Sequence, residues 1–291
     1  MRRLALLFLA LPLCLWSQFI PESSLGRYPY YLSACAMFQQ EGRFLKEWIE
    51  YHKLMGVEHF YLYNNGSTDD YLSVLEPYIE SGEVELFWWP SSPDEDWTPH
   101  QKNAYQDAVQ RAGSSSYWLA ILDIDEFIVP TQHDSVREYL EEHEHSCTQV
   151  LVMWRFFGTS HIEKIPDDRL MIETLTKRCR HIPGQIWHHK SIVKPRLVKN
   201  VSIHDCSVKY VPSVINLATA EEEYPPLVLH HYWTRDIEFL KTVKQERQER
   251  LHQKVMSEKE MDHLINAFND VEDTIMFRFV APLRQIIFGS Q

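Results

Sequence analysis

From residue 30 onward the chain alternates short, almost wholly apolar runs with longer runs in which apolar residues recur every three or four positions. YYLSACAMF (30–38) predicts a strand. GRFLKEWIEYHKLMG (42–56) sets Phe44, Leu45, Trp48, Ile49 and Leu54 on one side and stops at Gly56, which predicts an amphipathic helix. The alternation repeats with VEHFYLYNN as a strand, DDYLSVLEPYIESG as a helix capped near Thr68 or Asp69, and VELFWW as a third strand. TPHQKNAYQDAVQRAG follows as a helix from Thr98, with Pro99 in its first turn. YWLAILDIDEFIVP (117–130) supplies the fourth strand.

Such alternation predicts an α/β fold with a mostly parallel central sheet flanked by helices. From Thr148 to about Asp236 the pattern changes to strands such as QVLVMWRFFG and KSIVKPRLVK with few helices, as expected of an acceptor-side half. Helical patterning returns from Arg235. The expected organisation is one domain over residues 28–250 and a C-terminal helical extension over 251–291.

The first residues change the picture of where the protein works. Arg2 and Arg3 precede an apolar run over 4–16 and then polar Ser17 and Gln18, the architecture of a signal peptide over 1–17. Export is therefore expected, to a periplasmic, secreted or lumenal site, with an uncleaved N-terminal membrane anchor as the alternative. Cys35, Cys147, Cys179 and Cys206 remain after the leader. Four cysteines allow three pairings, and Cys179 with Cys206 is the expected one. No CxxC pair occurs, which excludes a zinc knuckle or a redox motif of that type. A formal net charge of -12 excludes a nucleic-acid partner, because counterion displacement needs clustered Lys and Arg. The 44% hydrophobic and 13% aromatic content supports a substantial core.

Candidate chemistry centres on LDIDEF. Burying Asp123, Asp125 and Glu126 beside apolar runs is costly unless a cation or protons compensate. Ligands collect at the carboxyl ends of strands in such sheets, and a strand's period of two would aim both aspartates to one side. Paired carboxylates there suit Mn²⁺ or Mg²⁺ gripping phosphate oxygens; the competing reading is a turn after a strand. In YNNGSTDD, Asn64, Asn65 and Asp69 suit a nucleobase or ribose, or else form an ordinary turn and helix cap.

Taken in order, EGRFLKEWIEYHKLMGVEHFYLYNNGSTDD, LDIDEF, WRFFGTSHI, KSIVKPRLV, VSIHDC and LHHYWTRDIEFLKTVKQER resemble glycosyltransferase family 92, also called DUF23, and its glycosyltransferase family 2-like bacterial relatives. The resemblance runs over roughly 32–247. It implies a GT-A-type fold, a UDP-sugar donor, and a divalent metal at the DxD motif formed by Asp123 and Asp125. Characterised relatives include inverting galactosyltransferases, so the implied activity is transfer of a sugar such as galactose to a glycan or other hydroxyl acceptor. His231 would be a third metal or diphosphate contact, with His230 packing on the opposite face. Arg235 and Lys241 would neutralise the leaving diphosphate, and Glu41 and Gln101 join Asn64, Asn65 and Asp69 on the donor side.

An inverting route needs a base for the acceptor hydroxyl, and Glu163, Asp167 and Asp168 are the carboxylates expected in that region. Trp154, Phe156, Phe157 and Trp187 suit sugar stacking or core packing. Two departures stand out. Relatives often read Lys-Asn-Glu where this chain has Gln39, Gln40 and Glu41, and Lys-Ser where it has Arg235 and Asp236. A metal-dependent nucleotidyltransferase and a non-catalytic carbohydrate-binding protein remain the alternatives.

Overall fold

A computed structural model describes residues 28–92, 95–182, 188–209, 214–217, 222–252 and 255–289. The leader, Trp187 and parts of the 93–97 and 219–226 loops lie outside the described residues.

The predicted alternation folds as β1 (Tyr30–Phe38), α1 (Gly42–Leu54), β2 (His59–Asn64), α2 (Tyr71–Glu80), β3 (Val84–Trp88), α3 (Trp97–Ser115) and β4 (Ser116–Ile121). Next come β5 (Glu126–Pro130), α4 (Val136–Glu142), β6 (Gln149–Phe156), α5 (Met171–Thr174), β7 (Lys177–Arg178), β8 (His189–Val193), β9 (Val198–Val201), β10 (Cys206–Val208), β11 (Val214–Asn216) and β12 (Leu227–His231). α6 (Ile237–Phe239) passes through a π-helical turn, Leu240–Lys244, into α7 (Gln245–His252), and α8 (Glu258–Asn266), β13 (Val271–Glu272) and α9 (Phe277–Phe288) complete the chain.

The expected α/β sheet flanked by helices is observed, with one correction to its strand directions. The main sheet runs β3-β2-β1-β4-β8-β6-β12-β5, with β11 also on β6. β3, β2, β1 and β4 are parallel, whereas β8 is antiparallel to both β4 and β6, and β5 is antiparallel to β12. The sheet is therefore mixed. The run 117–130 is two strands rather than one, with residues 122–125 as a turn between β4 and β5. β5 instead pairs with β12 at the far edge, Phe127 opposite His230 and Glu126 opposite His231.

Alternate residues of β1 serve two layers, as strand period demands. Leu32, Ala34, Ala36 and Phe38 pack with Trp48, Ile49 and Leu75 from α1 and α2. Cys35 and Met37 pack on the opposite face with Ala104, Tyr105 and Ala108 of α3. The segment after residue 250 does not stand apart. Met276, Phe279 and Leu283 enter the same core as Trp48 and Tyr51, and β13 pairs with β7.

Two glycines permit close approaches near the site. A Cβ on Gly42 would stand 2.9 Å from the Tyr71 nitrogen, where the loop before α2 crosses the start of α1. One on Gly158 would stand 2.4 Å from the Ala267 carbonyl oxygen, so the bend after β6 seats directly on the 267–269 loop.

The expected Cys179–Cys206 disulfide is not formed. Cys35, Cys147, Cys179 and Cys206 are all free and buried. Cys206 packs with Cys35 and Val193 under α3, whereas Cys179 lies just past β7, its amide donating to the Phe156 carbonyl. Burial pushes the Cys147 and Cys206 thiols up to about 11 and about 12.

Burial also lowers His52 and His230 to about 3, so both are neutral in the folded protein. As pH falls below the ordinary imidazole value, the unfolded chain takes up protons that the folded one refuses. Stability from these two residues is thus complete above about pH 6.5 and is lost progressively toward pH 3. Urea unfolding at pH 5 against pH 7 is expected to show a loss of about 2 kcal/mol per histidine. His52→Gln is expected to remove its half of that slope, and an unaltered slope would show that His52 is not involved.

Candidate active site

The turn at 122–125 is fixed from three directions. Trp48 Nε1 donates to the Glu126 carbonyl at 2.9 Å, the Tyr232 amide to the Asp125 carbonyl at 2.8 Å, and the Asp123 amide to Glu126 Oε2 at 2.8 Å. α1, β12 and β5 therefore set where the two aspartates point, and the pleat of a continuous strand does not.

Each aspartate meets its own ammonium. Asp123 Oδ1 accepts from the Tyr105 hydroxyl at 2.5 Å and from Gln101 Nε2 at 2.8 Å, while Oδ2 accepts from Lys190 Nζ at 2.8 Å. Asp125 Oδ2 accepts from Lys244 Nζ at 2.9 Å, and its Oδ1 lies 3.3 Å from His231 Nε2. Burial opposes ionisation of both, but Lys190 and the Tyr105 hydroxyl hold Asp123 below the ordinary carboxylate range, and Lys244 with His231 holds Asp125 well below it. Glu126, fully buried behind them, is pushed well above its ordinary value by burial against the weaker pull of Lys190. Asp123 and Asp125 both face a cavity of about 880 Å³, which Asn65, Gln101, His231 and Lys244 also line.

The fit of a cation can be judged from the donors. Among the described residues no group of three or more His, Cys, Asp or Glu could hold an ion unaided. Three donors already bond Asp123, two of them on Oδ1, whereas Asp125 meets Lys244 and His231. Asp125 and His231 do fit an ion whose remaining ligands are phosphate oxygens, a common arrangement for Mg²⁺ and its relatives. The buried His231 Nδ1 has no hydrogen-bond partner among the described residues, and the Trp154 and Phe156 rings lie tilted against the imidazole, with centroids at 4.4 and 5.1 Å. Mn²⁺ stands nearer than the harder Mg²⁺ to the metals that imidazole favours.

The other expected residues divide. Glu41 lines the cavity, and Asn65 does so while its Oδ1 accepts from the Ser91 amide at 2.6 Å. Asn64 and Asp69 are turned away from it: Asn64 Oδ1 accepts from the Ser67 amide, and Asp69 Oδ2 accepts from the Gly42 amide at 2.7 Å. These are the turn and helix-end roles that short polar side chains fill. Arg235 is fully buried beneath the cavity, 3.9 Å over the Phe44 ring, with Nη2 bonded to Glu41 Oε1 at 2.7 Å. It supports Glu41 and makes no opening toward a diphosphate. Its left-handed backbone, φ 53°, matches that of Gln40 at φ 55° on the other side of Glu41.

Lys241 is exposed and pairs with Glu163 at 4.0 Å. Glu163, Asp167 and Asp168 are likewise exposed and do not line the cavity, so the carboxylates expected to act as base are surface groups. The reason is the segment after Gly158, which turns outward to meet α6, where the Glu238 amide bonds the Glu163 carbonyl. His230 packs on Phe157 at 4.4 Å, as expected of its face.

Lys190, Tyr105, Lys244 and Arg247 complete the site and escaped the sequence analysis. A helical reading places Lys241 and Lys244 on one flank, and only the π-helical turn separates them, leaving Lys244 4% exposed and Lys241 in solvent.

Comparison with known proteins decides the family. The glycosyltransferase family 92 model matches residues 28–271. The chain belongs to glycosyltransferase family 92. A family 92 protein of Ricinus communis is 29% identical over 218 residues, covering 73% of this chain and 37% of its own length. One from Oryza sativa subsp. japonica is 29% identical over 56% of this chain and 27% of its own, and one from Arabidopsis thaliana 25% identical over 60% and 30%. The chain thus spans about a third of the length of these family 92 relatives. Among solved structures, S. aureus TarS 1-349 aligns with a TM-score of 0.41 at 11% identity, over 88% of this chain and 74% of that one. Glucosyl-3-phosphoglycerate synthase from Mycobacterium tuberculosis, in complex with Mn²⁺, UDP and glucosyl-3-phosphoglycerate, aligns at 0.33 and 14% identity over 58% of each chain.

Proposed function

We propose that this family 92 protein is a metal-dependent glycosyltransferase that moves a sugar such as galactose from a UDP-sugar to a glycan or other hydroxyl acceptor, with inversion. The observation that carries it is the pairing of Asp125 with His231 at the wall of a cavity large enough for a nucleotide sugar. Bound there, Mn²⁺ or Mg²⁺ would supply positive charge against the departing diphosphate.

The chain's own residues divide the remaining work. Gln101, Tyr105 and Lys190 hold Asp123 ionised and immobile at the cavity wall. Arg247 and Arg250 present further positive charge from α7, Arg247 bonded to the Gln39 carbonyl at 2.5 Å and Arg250 to Gln39 Oε1. Where relatives carry lysine, Gln39 thus receives two guanidinium groups that a lysine would repel. Trp154 and Trp233 give the cavity aromatic surface on which a sugar ring can stack. Export through the N-terminal leader belongs to the same proposal.

The test is product release by the full chain across several UDP-sugars, with Mn²⁺ present and with a chelator. Release of UDP that depends on the ion supports the proposal. Pyrophosphate in its place would indicate a nucleotidyltransferase, and tight donor binding without either product a carbohydrate-binding protein.

A further inference from the structure

Lys190 and Lys244 are both buried lysines bound to a DxD carboxylate, yet their settings differ. Lys190 Nζ reaches two carboxylates, Asp123 at 2.8 Å and Glu126 at 3.6 Å, and its partner Asp123 is held by two further donors. Lys190 itself does not line the cavity. That is the arrangement of a permanent internal strut. Among the described residues Lys244 Nζ reaches one carboxylate, Asp125 at 2.9 Å, and Lys244 lines the cavity with Trp233 and Arg247.

A divalent ion drawn to Asp125 and His231 would therefore meet an ammonium group already bound to the same carboxylate. The two cations repel at such a distance, and one must withdraw. Lys244 has somewhere to go, since its stem leaves the π-helical turn at the cavity wall and a donor's diphosphate would lie beside the ion. The charges balance in both states: the Lys244–Asp125 pair is neutral by itself, and the ion with the diphosphate adds no net charge.

We propose that Lys244 is the resident counter-ion of the site, neutralising Asp125 while no donor is bound and transferring to the donor's diphosphate when the ion takes its place on Asp125 and His231. Lys244 thereby raises the threshold for binding a free ion and couples ion entry to donor entry. This rests on the metal reading proposed above.

Two binding measurements on the full chain test it: Mn²⁺ affinity without nucleotide, read by electron paramagnetic resonance, and UDP affinity in EDTA, read by calorimetry. In Lys244→Met, free Mn²⁺ is expected to bind about tenfold tighter, because Asp125 loses its competitor, and UDP in EDTA about tenfold weaker, because the unneutralised Asp125 carboxylate repels the diphosphate. Lys244→Arg, which keeps the charge, is expected to stay within about twofold of wild type on both counts. Should Lys244→Met fail to fold, Lys244→Gln removes the charge while keeping a hydrogen-bond donor for Asp125, and the same two shifts are expected. Unchanged or weakened Mn²⁺ affinity in a folded, charge-free variant overturns the exchange, as does unchanged UDP affinity in EDTA. Wild-type protein that binds no Mn²⁺ with or without UDP overturns the metal reading itself, an outcome distinct from a wild type that binds Mn²⁺ and a variant that binds it no better.

Discussion

Asp125→Asn is expected to lower Mn²⁺-dependent UDP release by about 10²–10³-fold while leaving the fold intact. The amide has the size of the carboxylate, and the Asp125 backbone carbonyl still receives the Tyr232 amide. What is lost is the charge that faces both His231 and Lys244. Without it an ion has only the imidazole, and Lys244 becomes a buried ammonium with no anion. Initial rates at saturating Mn²⁺, with circular dichroism as the check on folding, measure the effect. If the variant kept a third or more of wild-type turnover, Asp125 would not be the ion's ligand. Asp123→Asn is expected to act differently, since Tyr105, Gln101 and Lys190 still surround the side chain and the damage falls on the shape of the turn.

The second large effect is on stability and lies away from the cavity. Arg178 Nε bonds Asp273 Oδ2 at 2.5 Å, Nη2 bonds Glu223 at 2.6 Å, and Nη1 donates to the Cys179 carbonyl at 2.8 Å. Both Arg178 and Asp273 are almost wholly out of solvent, at 2% and 1% exposure of their side chains. Arg178→Met strands a carboxylate that retains only the Tyr224 hydroxyl and the Ile275 amide, and is expected to cost about 3–5 kcal/mol in urea unfolding. Pairing it with Asp273→Asn is expected to recover part of that loss, because the uncompensated charge is gone. A cost below about 1 kcal/mol for the single variant would mean that solvent reaches Asp273 on this edge.

Much of this was legible in the chain itself. The first seven elements were marked by apolar period and by helix stops such as Gly56, because each packs against its sequence neighbours and its pattern is set locally. The place of the DxD carboxylates at the end of β4 followed from the same period. The run 117–130 misled because a four-residue turn with Leu122 and Ile124 buried has the apolar profile of an unbroken strand. The site's cations were harder. Lys190 and Lys244 are brought to the aspartates by β8 and by a π-helical turn more than sixty residues away, and nothing in local composition separates Lys244 from Lys241. Arg235 is invisible for the converse reason: its sequence position beside the His-Tyr pair suggests a ligand contact, and only the Phe44 ring above it shows that it is sealed in. Disulfide pairing depends on distances between elements that sequence does not carry.

The docking of α9 onto α1 also sets an order on biosynthesis. α1 is made first, and its partners Met276, Phe279 and Leu283 follow far later in the chain. Until they emerge, Tyr51 lacks the Phe279 ring that packs on it, so a nascent chain carries an unsealed apolar seam throughout the synthesis of everything between α1 and α9. A ribosome-bound chain stalled before residue 276 is accordingly expected to recruit chaperones, because that seam is still open.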